Sequence, residues 1–211
     1  MKIADNIYEI IDSVGDATIV AATKYVDSSL MKELLKYGIN NFGENRVDSF
    51  LEKYEDLKNE DIVWHFIGHL QRNKALKVID KIEYLHSLDS LKLAKIINDN
   101  RKEPLKCFIE VNLNKEESKD GIYLDELDDF IINVKCFPNV NIIGLMTMTI
   151  KNDTSSDKFN QFEQLRELKD KLNEKYNLSI KYLSMGMSDD YLDAVKAFST
   201  HVRLGRILWK N

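Results

Sequence analysis

The chain has 211 residues, 30 of them Lys or Arg and 35 Asp or Glu, for a formal net charge of −5. With 44% apolar and 31% charged residues it has a globular composition, which excludes disordered and fibrous classes. Its mild acidity argues against a protein that grips nucleic acid, and no run approaches the roughly 20 apolar residues that cross a bilayer. The acidic stretch Met1 to Asp16 lacks the basic start and apolar run of a secretory signal, so a cytoplasmic location is expected. Cys107 and Cys136 form no CxxC pair and are expected to be reduced, packed thiols.

The chain opens with helical spacing at Ile3, Ile7, Ile10 and Ile11. Thr18 to Lys24 then reads as a buried strand, and Ser28 or Ser29 caps a helix that stops at Gly38. The alternation continues: strand 39–42, helix 45–57, strand 62–67, helix 71–79, strand 82–87, helix 90–100, strand 105–112 and helix 124–134. Strand 140–146, helix 156–176, strand 180–184, helix 189–198 and strand 202–205 complete it. Strict alternation predicts a parallel sheet, and eight βα units in 211 residues fit a single (β/α)8 TIM barrel with an extra N-terminal helix, residues 1–211 forming one domain. A doubly wound open sheet is the alternative arrangement.

In a barrel, alternate strand residues face the interior. Val202 and Leu204 then face the helices, and His201, Arg203 and Gly205 point inward. On the first strand Ile19 and Ala21 face the helices, leaving Val20, Ala22 and Lys24 inside. A lysine and an arginine therefore approach the rim at the C-terminal ends of the strands, where barrel enzymes keep their chemistry. A lysine in a partly apolar pocket forms a Schiff base with an aldehyde.

Phe42-Gly-Glu-Asn-Arg46 places polar groups just beyond a strand, with Asn45 as the candidate ligand contact. His65 and His69 are four apart, but Gly68 breaks the segment between strand and turn, so no metal site is expected and His65 reads as a hydrogen-bonded interior residue. Ser184-Met-Gly-Met-Ser-Asp189 and Ser199-Thr-His-Val-Arg-Leu-Gly-Arg206 follow strands seven and eight, where barrels often hold phosphate. Together these residues ask for an aldehyde that carries a phosphate.

The blocks Ala21-Ala-Thr-Lys24, Phe42-Gly-Glu-Asn45, Trp64-His-Phe-Ile-Gly-His-Leu-Gln71 with Asn73-Lys74, Gly144-Leu-Met-Thr147, Ser184-Met-Gly-Met-Ser-Asp189 and Ser199-Thr200 with Val202-Arg-Leu-Gly-Arg206 resemble the pyridoxal phosphate homeostasis proteins. The likeness runs in order from about residue 3 to 208. That family is similar to the barrel domain of alanine racemase and other fold-type III pyridoxal phosphate enzymes. The resemblance implies that Lys24 carries pyridoxal 5′-phosphate as a Schiff base and that Arg203 faces the pyridine nitrogen, keeping it unprotonated. It also implies that Ser184, Thr200 and the backbone around Gly205 and Arg206 hold the phosphate, that Asn45 lies close to the ring, and that His69 and Met146 are further cofactor contacts.

The resemblance further implies a cofactor carrier in vitamin B6 and amino-acid homeostasis without classical catalysis. Its implied partners are the cofactor and recipient apo-enzymes, and its expected state is a monomer or weak dimer. The alternative is an amino-acid racemase, which needs a second acid–base group on the opposite face of the substrate. Alanine racemase takes that tyrosine from a second domain; here Tyr25 and Tyr191 are the candidates. A Schiff-base aldolase would need an acid beside Lys24, and Glu110 is more readily a counter-charge for interior cations. Three features depart from the family pattern: Phe198 stands where a glycine is usual, the chain ends at Asn211 without the usual glycine-bearing tail, and the N-terminus is brief, so a shortened opening helix is expected.

Overall fold

Runs such as Thr18-Ile-Val-Ala-Ala22 and Val140-Asn-Ile-Ile-Gly-Leu-Met146 are apolar enough to be covered on both faces, as parallel strands are. The structure, a computed structural model, describes residues 1–116, 120–150 and 153–210, so Asn211 lies outside it. It contains the strands β1 (Thr18–Ala22), β2 (Asn41–Glu44), β3 (Val63–Phe66), β4 (Tyr84–Leu88), β5 (Leu105–Asn112), β6 (Val140–Met146), β7 (Tyr182–Met187) and β8 (His201–Leu204). Every neighbouring pair is parallel. Because β1 pairs with both β2 and β8, and β4 pairs with β5, the sheet closes on itself. The fold is therefore a (β/α)8 barrel, and the open-sheet alternative is excluded.

Helix α1 (Ile7–Ser13) precedes the barrel as the extra N-terminal helix. The outer ring contains α2 (Ser28–Leu35), α3 (Val47–Asp56), α4 (Leu91–Asn100), α5 (Leu127–Val134), α6 (Ser155–Tyr176) and α7 (Tyr191–Lys196). Asp27 rather than Ser28 caps α2, its carboxylate accepting from the Leu30 N–H at 2.9 Å. The helix expected over 71–79 is instead a 3₁₀ segment, Arg72–Lys77. Gln71 offers it no side-chain cap and only Ala75 within it is buried, so little holds a longer helix there.

Two further strand pairs decorate the barrel. Lys2–Ile3 runs antiparallel to Trp209–Lys210, tying the chain's two ends together beside β1. Ile122–Tyr123 lies parallel to the end of β5.

The alternation of faces follows the sequence. Ile19, Ala21, Val202 and Leu204 belong to the main apolar core between sheet and helices. Val20 is fully buried on the other face, where a Cβ on Gly43 would stand 2.9 Å from its Cγ1, so the barrel interior needs a glycine at that point. Among the described residues no helix is long and apolar enough to cross a membrane.

Candidate functional site

Arg203 and His201 point into the barrel, and their neighbours there are polar. Asn41, His65, His86 and Ser184 come from β2, β3, β4 and β7. Arg203 Nη1 donates to Ser184 Oγ at 2.6 Å, and Nη2 donates to the Thr147 carbonyl at 2.9 Å. Ser184 Oγ is 2.7 Å from His86 Nδ1, His86 Nε2 is 2.8 Å from His65 Nδ1, and His65 Nε2 is 2.9 Å from Asn41 Oδ1.

A single proton assignment satisfies this chain. Asn41 Oδ1 only accepts, which with neutral rings fixes the direction of each bond along the chain, so Ser184 accepts from Arg203 and gives its own proton to His86. His86 then donates to His65, and His65 donates to Asn41. Both imidazoles are neutral in that assignment. Burial, reinforced by neighbouring cations, holds the pKa of His65 and His86 well below the usual histidine value. Burial beside Arg203 brings His201 down to about 4. Burial also lowers Arg203 to about 10, against the opposing pull of Glu110 and Asp190, so it remains a cation at neutral pH.

Above this network lies the rim. A cavity of about 220 Å³ is lined by Ala22, Lys24, Tyr25, Gly205, Arg206, Trp209 and Met1. Lys24 lies just beyond β1, and its ammonium is 4.7 Å from the centre of the Tyr25 ring. Gly205 sits against Ala22, close enough that an added Cβ would touch it at 3.6 Å. The N–H groups of Gly205 and Ile207 both donate to Ser188 Oγ, at 3.2 and 3.5 Å. The loop carrying Ser188 is fixed by Asp190, which accepts from the Met187 N–H at 2.6 Å and from Thr149 Oγ1 at 2.6 Å. Gly186, near the end of β7, has φ +91°, and a Cβ there would stand 2.6 Å from that of Ala194. Amides converging on one hydroxyl, beside an exposed arginine, form an anion-holding arrangement. Arg206 is paired with Asp189, but both are exposed, so an anion competes for it at little cost.

A buried ion pair supports the rim from below. Lys53 of α3 donates to Glu44 Oε1 at 2.5 Å and to the Thr23 carbonyl at 2.6 Å, and Thr23 Oγ1 donates to the same carboxylate oxygen at 2.5 Å. These bonds fix the residue immediately before Lys24. Next to Glu44, Asn45 Oδ1 is buried with no hydrogen-bond partner among the described residues. It is an acceptor without a donor, which a ligand hydroxyl would satisfy.

The structure brings Lys24, Gly205 and Arg206 to one cavity, while Asn45 lines a separate groove. Arg203 lies beneath, turned toward Ser184 and Thr147 rather than toward Lys24. Ser184 and Thr200 are not brought to that cavity. Ser184 alternates inward and is occupied by Arg203 and His86, while Thr200 precedes β8 at the opposite end of the barrel, bonded to Leu183 and His201. Met146 is buried against Phe108 and Ile143 inside the barrel. His69 lines the same groove as Asn45, and its Nδ1 faces Asp89 and Asp120.

Tyr25 lines the cavity, whereas the Tyr191 hydroxyl meets Ser13 of α1 outside the barrel. Cys107 is buried and Cys136 is exposed, so only one thiol is packed as expected. Two residues of this candidate site escape sequence reasoning. The signal for Ser188 is its place at the end of the strand-seven motif, and that for His86 is the inward alternation of β4 that it shares with Tyr84.

The family profile described as "Alanine racemase, N-terminal domain" matches residues 1–211. The pyridoxal phosphate homeostasis protein of Aquifex aeolicus is 39% identical over 199 residues, covering 92% of this chain and 86% of that protein. PipY of Synechococcus elongatus, 28% identical, superimposes with a TM-score of 0.91 in its structure without PLP, covering 99% of this chain and 100% of that one. Its structure with PLP bound gives 0.88, with 97% and 100% covered. Alanine racemase of Corynebacterium glutamicum shares the fold at a TM-score of 0.75 and 15% identity, covering 97% of this chain and 58% of that one.

Proposed function

We propose that this chain, which belongs to the pyridoxal phosphate homeostasis protein family, binds pyridoxal 5′-phosphate at the Lys24 rim and acts in the cytoplasm as a carrier of that cofactor. The observation that carries the reading is the convergence in one cavity of a lysine amine, Arg206 and the loop whose amides gather on Ser188. The relative solved with PLP bound supports the same ligand.

The residues fit the group. Lys24 is the covalent attachment point for the aldehyde. The amides of Gly205 and Ile207, the Ser188 hydroxyl and the Arg206 guanidinium hold the phosphate dianion. Asn45 offers its unpartnered oxygen to a hydroxyl on the ring. Arg203, held from below by Ser184 and Thr147, would be the cation that meets the pyridine nitrogen. Bound pyridoxal phosphate supplies an electron sink, and a ring nitrogen that meets a permanent cation is a weak one. That favours holding and delivering the cofactor to recipient apo-enzymes over running its chemistry.

Borohydride reduction of the full chain after incubation with pyridoxal phosphate, followed by peptide mass mapping, tests the site. A single reduced adduct on the Lys24 peptide, lost in Lys24→Ala, is the expected result. Adducts scattered over surface lysines would overturn it. Racemisation or decarboxylation of an amino acid by the loaded protein would replace the carrier reading with a catalytic one, with Tyr25 as the acid–base group nearest the lysine.

A further inference from the structure

The cofactor site leaves one constellation of the rim unused. His69 lies in the turn after β3, Asp89 directly follows β4, and Asp120 follows β5. His69 Nδ1 is 2.9 Å from Asp89 Oδ2 and 3.4 Å from Asp120 Oδ1. One donor atom from each of the three residues lies within 4.8 Å of the others. The turn that presents His69 is anchored to β4, where Ser87 Oγ donates to the Gly68 carbonyl at 2.5 Å.

Two features show that this is more than a surface histidine beside two acids. First, a single ring nitrogen carries at most one proton, so Nδ1 cannot serve both carboxylates by hydrogen bonding. The second carboxylate then has no protein donor, and among the described residues neither Asp89 nor Asp120 pairs with a lysine or arginine. Second, Glu110 of β5 adds a third carboxylate. It is only 3% exposed, yet it has no hydrogen bond or ion pair among the described residues. Its side chain packs against Gly121, where a Cβ would stand 3.1 Å from its Cγ, and it lines a small cavity together with Asp120. Three carboxylates and an imidazole thus converge where a cation is the missing partner.

The spacing suits a metal ion. Metal–ligand bonds of about 2.0–2.1 Å in a tetrahedron place ligand atoms about 3.3 Å apart, and the two nitrogen–oxygen separations bracket that value. We propose that His69, Asp89 and Asp120 bind a divalent first-row transition metal ion of the Zn²⁺ type, with Glu110 facing the ion from the barrel side. An imidazole ligand selects such ions over Ca²⁺ and Mg²⁺. Three protein ligands leave a coordination position open to water or to an anionic group entering the rim. The ion also ties together the loops after β3, β4 and β5. The proposal stands independently of cofactor binding.

The test is titration of the EDTA-treated, dialysed full chain with Zn²⁺ by calorimetry and with Co²⁺ by visible absorption. One equivalent is expected to bind, with Co²⁺ bands of tetrahedral or five-coordinate intensity. His69→Ala and Asp120→Asn should each weaken binding at least tenfold. Both side chains are solvent-exposed, so the fold tolerates these changes, and unchanged circular dichroism verifies it. Absence of binding, or binding that both variants leave unchanged, would overturn the proposal, the latter marking adventitious surface sites.

Discussion

Phe198 is the residue whose backbone and side chain disagree. Its φ is +63°, in the left-handed region where a Cβ crowds the following carbonyl, and its ring is 71% exposed. It occupies the turn between α7 and β8, where the family resemblance leads one to expect glycine. The ring has one compensation, lying 5.9 Å from the Arg166 guanidinium at a solvent-exposed site. Left-handed strain costs about 1–2 kcal/mol, and glycine returns about 0.4–1 kcal/mol of that through greater freedom in the unfolded chain. Phe198→Gly is therefore expected to stabilise the protein by about 0.5–1 kcal/mol, raising Tm by roughly 1–3 °C in a thermal melt. Phe198→Ala keeps the strain but removes the ring, and should lower Tm. A lower Tm for the glycine variant would mean that the arginine contact outweighs the strain.

Between elements, the decisive contact is the pair that joins β2 to α3 and to the residue before Lys24. Glu44 and Lys53 are buried and ionically paired, so removing one partner strands the other charge. Lys53→Met should cost about 3–5 kcal/mol in urea denaturation, while Glu44→Leu combined with Lys53→Met should cost much less than the two single changes added together. Additive single costs would show that the pair is not coupled. Glu44 is visible in the sequence only as a polar residue after a strand, because nothing local announces a lysine nine residues on that folds back over it. The barrel itself is legible, since β-branched runs and helical spacing alternate without interruption. The inward set His201, Arg203 and His65 is legible from period-two alternation. The phosphate loop is legible as a place but not as a residue. Ser184 and Ser188 lie in one motif, and only the register of β7 tells that the first points into the barrel and the second reaches the amides of Gly205 and Ile207. Thr200 is separated from the cavity for a related reason: it adjoins β8, but at the strand's beginning.

The molecule as a whole encloses three imidazoles and a guanidinium in one barrel, and this sets how it responds to acid. An unfolded histidine takes up a proton near pH 6.5, whereas folded His201 does so only near 4, and burial holds His65 and His86 well below their ordinary value. Below pH 6.5 the unfolded state therefore binds more protons than the folded one, and stability falls as pH falls. The contribution is complete above pH 6.5 and is progressively lost toward pH 4. Glu110 acts in the opposite sense, because its folded pKa of about 7 exceeds the ordinary glutamate value of 4.5, so its contribution is lost as pH rises through that interval. Three histidines against one glutamate leave a net destabilisation of about 2 kcal/mol between pH 6.5 and 5.5, each fully titrating proton being worth about 1.4 kcal/mol per pH unit. Exposed carboxylates titrate below this window and contribute little to it. Urea denaturation at the two pH values in EDTA measures the difference. His201→Gln, which removes one of the three imidazoles, should reduce it by about 1 kcal/mol. A flat profile, or one that rises toward pH 5.5, would mean that the interior imidazoles are charged in the folded state, and Ser184 could not then give its proton to His86 while accepting from Arg203.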